Sequence, residues 1–148
     1  MTMGEQDLAA VRTVCRGDEV AVQWLLAWNG YVHLIDDIID GEDDSPETVL
    51  KTFVLAAELY THPFFVKHAA RLKQIVLNCT NAYADSVAWE KSSEEWQRQF
   101  ADHYRHFGAE MVVAVATICG GYGHARDISP ELRTVCWKAH HTREGKAV

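Results

Sequence analysis

The sequence predicts an all-α fold, a single domain of about five helices packed as a bundle, and three observations carry that expectation. Cap residues and prolines mark helix starts at Asp18, at Ser45-Pro46-Glu47, at Ser92 with Glu95, and at Ser129-Pro130-Glu131. Between these marks the apolar residues recur at helical spacing. No segment alternates with period two, and no turn pairs two strands. The chain has 148 residues, 48% of them hydrophobic, with only three prolines, which suits one core of ordinary size.

Each element follows in order. Residues 1–17 are expected to fray. Asp18 caps a helix through VAVQWLLAWNGYVHLIDDIID that stops at Gly41, the residue type that accepts the left-handed turn after a helix. Ser45-Pro46-Glu47 supplies a cap, a proline at the first helical position and an acid in the first turn. The helix it starts ends near Thr61-His62-Pro63, and a long one follows from about Phe64 to Trp89. Ser92 with Glu95 reads as a capping box for a fourth helix that ends at Gly120-Gly121. Ser129-Pro130-Glu131 starts a short fifth, and residues 142–148 are expected to fray.

Composition excludes several classes. No apolar run approaches the roughly 18 residues that span a bilayer. The start, MTMGEQDLAAVR, lacks a basic segment followed by an apolar one, so no secretory signal is expected. Cys15, Cys79, Cys119 and Cys136 form no CxxC pair and sit among apolar neighbours, which suggests buried thiols in a reducing cytoplasm. Net charge is −7 and unevenly placed: residues 17–50 hold nine acids and no Lys or Arg. Such a segment repels phosphate backbones, so direct nucleic-acid binding is not expected. Glu42 to Glu47 read as a solvated acidic loop.

The 18–41 helix is the informative one. At about 100° per residue, Asn29, His33, Asp36 and Asp40 fall on one face, with Asp37 close by. Trp24, Trp28, Val32, Ile35 and Ile39 cover the opposite side, and Leu34 and Ile38 widen it, so the helix is expected to be largely buried. Three carboxylates within one turn of such a helix repel one another and lose hydration. A divalent cation or a cationic partner resolves that conflict, and Asp36 and Asp40, i and i+4, can grip Mg²⁺ or Mn²⁺ with Asp37 beside them. The bland alternative is a helix end whose acids face water.

Asn81 and Asp85 on the 64–89 helix make a second polar stripe with Gln74 and Asn78, and could complete a metal site; Ser86 and Glu90 form another candidate pair. His103, His106 and Glu110 share a face of the fourth helix and could bind a transition metal or shuttle protons, though a partly exposed helix face more often carries histidines without any ligand role. Trp24, Trp28 and Trp89 read first as core and second as walls of a pocket beside the acids. No phosphate-binding Gly-rich loop, GxSxG or HExxH motif is present.

Asp36-Asp37-Ile38-Ile39-Asp40 resembles the DDxxD motif of the isoprenoid synthases, the prenyltransferases and terpene cyclases, and the flanking WNGYVHLIDDIIDGE is similar in its apolar and aromatic character. The resemblance implies a helix lining an all-α cavity and binding a substrate diphosphate through Mg²⁺. The second metal site of terpene cyclases is only approximated: Ser86 and Glu90 keep its last spacing with Ala82 in place of Asn, whereas Asn81 and Asp85 align with Trp89 in place of Glu. The chain is shorter than a full isoprenoid synthase, so a cavity of that kind needs a second chain or is shallow. The wording WLL-x-WNG-x-VHLIDD and YADSVAWE also resembles short proteins of tailed phages and prophages, which implies no particular activity.

Two functions are therefore expected to compete. In the first, Asp36, Asp37 and Asp40 hold Mg²⁺ or Mn²⁺ with Asn81 and Asp85, and His33, Asn29, Lys67 and Arg105 bind a diphosphate-bearing small molecule. An all-α nucleotide pyrophosphohydrolase is a variant of this reading, although the paired ExxE and ExxD motifs of those enzymes are missing. In the second, the chain is a non-enzymatic phage or host-interaction protein with Trp96 and Trp137 as exposed anchors. A homodimer is expected in either case, because a short bundle of such apolar helices hides one face.

Overall fold

A computed structural model describes residues 5–143, with side-chain burial over 8–138. Among these residues every regular element is a helix: α1 (Glu5–Val14), α2 (Glu19–Asp40), α3 (Pro46–Thr61), α4 (Pro63–Trp89), α5 (Glu95–Arg105) and α6 (Ala109–Arg143). No helix among the described residues is long and apolar enough to cross a membrane. The contacts divide the chain into two compact units between Ala69 and Ala70, inside α4 and next to a kink at His68 (φ −115°, ψ 18°).

The first unit begins with α1, in the stretch expected to fray. It ends through Arg16 and Gly17, both at positive φ, and contributes Val14 and Cys15 to the core. The Asp18 carboxylate then accepts the backbone N–H groups of Val20 and Ala21 at 3.1 and 3.2 Å, satisfying two donors that the first turn of α2 leaves open. Gly41 (φ 74°) closes α2, its N–H donating back to the Asp37 and Ile38 carbonyls. Inside, Trp24 stacks on Trp28 and Phe65 and meets Phe64, and its indole N–H donates to the Leu59 carbonyl at 3.0 Å. That carbonyl lies in the last turn of α3, where no helical donor remains for it.

Two local signals in this unit were absent from the sequence reading. His62 follows α3 and its Nδ1 accepts the Phe64 N–H at 3.2 Å, so it serves as the cap that starts α4. Asp43, expected to be solvated loop, accepts the Thr48 hydroxyl at 2.7 Å and the Ser45 N–H at 3.2 Å, while Ser45 Oγ accepts the Thr48 N–H. The acidic loop thereby builds the start of α3.

The second unit centres on Leu72, Cys79, Ala82 and Ser86 of α4, Ala101 of α5, and Met111, Val115 and Ala116 of α6, all buried. The fourth helix expected from Ser92 to Gly120 is two helices. The chain breaks over 106–108, where Phe107 and Ala109 donate to carbonyls three residues back in a tightened turn. The capping box does not form. Ser92 Oγ accepts the Glu94 N–H and donates to Gln97, and Glu94 takes the cap position. Gly121 (φ 81°, ψ 175°) interrupts α6 where the fourth helix was expected to end. The helix restarts at once, so Pro130, expected to begin a new helix, lies inside α6. Of the expected frayed end, 144–148 lie outside the described residues.

Candidate functional site

The acid-rich end of α2 is built by the helix that Asp18 and Gly41 delimit, and it carries no basic residue in its last turn to complement the dipole. Its three aspartates meet different environments. Asp36 is buried at 8% exposure, Asp37 is half-buried and Asp40 is exposed. His33 is half-buried and Asn29 exposed on the same helix. The expectation that α2 is largely buried holds for Trp24, Leu25 and Trp28 and weakens beyond them: Tyr31 to Ile35 are half-buried and Ile39 is exposed. Among the described residues no group of three or more His, Cys, Asp or Glu side chains is placed to hold a metal ion. Lys67, also in the first unit, is exposed on α4.

The other expected site residues belong to the second unit. Asn81 is exposed and Asp85 half-buried on α4, while Gln74 on the same stripe donates to Asn78 at 2.9 Å. Ser86 is fully buried and donates to the Tyr83 carbonyl at 2.7 Å. Arg105 forms an ion pair with Glu90 at 2.8 Å and lies over the Tyr83 ring at 5.7 Å, so its guanidinium holds α5 to α4.

The His103–His106–Glu110 face does not exist as one helix surface, because the 106–108 turn separates α5 from α6. Glu110 pairs with Arg133 at 2.5 Å. A cleft of about 230 Å³ is lined by Ile75, Asn78, Phe107, Glu110, Val113 and Thr117 among others. Nearby, Cys79 is buried with its thiol directed at the Phe107 carbonyl, and burial, helped by Glu110, pushes it up to about 11. Burial likewise raises Cys136. Neither is an activated nucleophile.

Trp96 and Trp137 are exposed, as expected of anchors, but sequence reasoning missed the aromatic ring on α5 to which Trp96 belongs. Trp89, Trp96, Phe100 and Tyr104 form a closed ring of four contacts, with centroids 5.5 to 6.2 Å apart. Trp96 (52%) and Phe100 (48%) remain about half exposed, and Trp137 is exposed on α6. The i, i+4 spacing of Trp96 and Phe100 was the available signal, beside Tyr104 four residues on. Compared with known proteins, the chain matches no family model, no curated protein and no solved structure.

Proposed function

We propose that the chain is a helical interaction protein that docks a partner through the aromatic surface of α5, in keeping with its resemblance to short phage and prophage proteins. The observation that carries this reading is the Trp89–Trp96–Phe100–Tyr104 ring, closed on itself yet half exposed at Trp96 and Phe100. Rings already held by their neighbours lose little freedom on binding, and aromatic anchors of this type dominate interface energetics. An apolar groove of about one helix width suits them. The test is photo-crosslinking from position 99, identification of the captured protein, and calorimetry of that purified partner with wild type and the Trp96→Ala/Phe100→Ala variant. The reading requires at least a tenfold loss in the variant; equal affinities would sink it.

A second reading is favoured by Asp36, a carboxylate withdrawn from water with Asp37 and Asp40 within one turn. Three protein ligands are not assembled, but Mg²⁺ keeps several waters and is commonly held by one or two carboxylates plus phosphate oxygens. Asp36 and Asp40, about 6 Å apart at i, i+4, suit that two-carboxylate hold on a Mg²⁺- or Mn²⁺-bound diphosphate. The ion would supply neutralising charge to the diphosphate, and Lys67 is a counter-charge in the same unit. Thermal melts separate this from the first reading. Pyrophosphate with Mg²⁺ should raise the melting temperature by several degrees, about 2.7 kcal/mol at 100 times Kd, and Asp36→Asn/Asp40→Asn should abolish the rise. Melts that ignore Mg²⁺ and pyrophosphate leave the aspartates as an acidic helix end.

A further inference from the structure

Glu110 and Arg133 stand 2.5 Å apart although both lie on α6. In a straight helix their separation in sequence corresponds to about 35 Å, far beyond the reach of two side chains. Glu110 lies eleven residues before Gly121 and Arg133 twelve after it. The chain therefore doubles back at that glycine, and residues 122–143 form an arm laid along the first half of α6. The reversal uses no loop. Helix runs up to Gly121 and resumes directly after it, and the one departure from helical backbone is Gly121 itself, at φ 81°, ψ 175°.

The arm is lightly held. Among its described side chains only Ala125 is buried, at 3% exposure. Ile128, Ser129, Leu132 and Cys136 continue the same stripe at helical spacing and are half-buried, while Tyr122, Val135 and Trp137 are exposed. Segments with so few buried contacts open before the core does. Opening requires a change at one residue, from the left-handed φ of Gly121 to helical angles that any residue adopts. The two halves then run on as one helix of 35 residues, and backbone groups left over where two helix ends abut can join its ladder.

Straightening carries Arg133 away from its own Glu110 and uncovers the surface on which the arm lay. A second copy, opened in the same way, returns an identical arm to that surface. From this geometry we infer that residues 122–143 are an exchangeable arm, swapped through the Gly121 hinge between two copies of the chain. No new contact is required, because every contact of the swapped arm is one that the closed chain already makes. A short hinge whose closed form demands a special backbone favours such an exchange. This goes beyond the proposed function, which uses α5.

Sedimentation of the full chain over a concentration series tests it, with circular dichroism as a check on folding. A Cβ at Gly121 meets no atom within 4 Å, so Gly121→Ala penalises only the left-handed backbone of the closed form. It should shift the equilibrium toward dimer by about thirtyfold or more relative to wild type, since each swapped dimer spares two alanines that backbone. Charge then identifies the contact. Glu110→Arg and Arg133→Glu each oppose like charges, both in a closed chain and in a dimer of one variant. Mixed, the two variants should form a heterodimer, because exchange of arms between them opposes unlike charges at both contacts. A Gly121→Ala chain that folds and stays monomeric to several hundred micromolar overturns the inference. So does a mixture of the two charge variants, Gly121 intact, that yields no more dimer than either alone. That mixture decides the matter even if Gly121→Ala fails to fold.

Discussion

Trp24 ties α2 to the last turn of α3 with one bond, from its buried indole to a carbonyl that the helix itself leaves without a donor. Trp24→Phe keeps an aromatic ring but strips the Leu59 carbonyl of its partner and opens space beside Trp28. We expect about 2–4 kcal/mol of lost stability in a urea titration, with little change in the slope. Asp43 works at the other end of α3. The Thr48 hydroxyl, then the Ser45 side chain and backbone, hold its carboxyl below its ordinary value of 3.8. A carboxyl lowered in the folded state contributes stability that is present above the unfolded value and lost as pH falls through the folded one. Wild type should therefore lose stability below pH 3.8 more steeply than Asp43→Asn, measured as melting temperature against pH. Cys79 acts in the opposite direction. Its thiol, raised from 9.0 to about 11, stays protonated in the fold while the unfolded chain ionises, so stability falls between those values and Cys79→Ala flattens the decline.

Helix boundaries were legible where a side chain or a glycine sets them locally. Asp18, Gly41 and Ser45-Pro46 sit where the structure puts the ends of α2 and the start of α3. The α5–α6 break was not legible, because His106, Phe107 and Ala109 bond three residues back and the stretch carries only Gly108 as a sign. Pro130 misled for a tertiary reason: the chain had already restarted its helix after Gly121, so the proline fell within a turn it did not begin. Gly121 lies in a region of backbone space reserved almost wholly for glycine, and Gly121→Ala should cost about 1–3 kcal/mol. Gly123, two residues on, lies in the helix with no atom within 4 Å of an added Cβ, and Gly123→Ala should stabilise by about 0.5–1 kcal/mol. Chemical denaturation of the pair checks both signs. The exposure of Leu50, Phe53 and Val54 on α3 was not legible either, since apolar residues occupy both sides of that helix and only its neighbours decide which side is covered.

Charge is divided between the two units as unevenly as along the sequence. Residues 1–69 carry twelve acids against four bases, and residues 70–148 nine against ten. Screening relieves repulsion between exposed charges, so the melting temperature should climb by a few degrees from about 0.02 M to 0.5 M NaCl. Glu42→Lys, one residue beyond the Gly41 cap, should add about 0.3–1 kcal/mol at low salt and shrink that climb, since a cation suits a helix C-terminus. The acid-rich site was legible as a residue pattern, but helical periodicity alone could not foretell that Asp36 is buried while Asp40 is exposed. The tryptophans divide the same way. Trp24 and Trp28 are buried in the first unit, Trp96 and Trp137 are exposed in the second, and Trp89 is half-buried there. Each unit thus carries its own optical label: a blue-shifted emission sheltered from acrylamide for the first, a red-shifted and quenchable one for the second. Quenching during a single melt would show which unit lets go first.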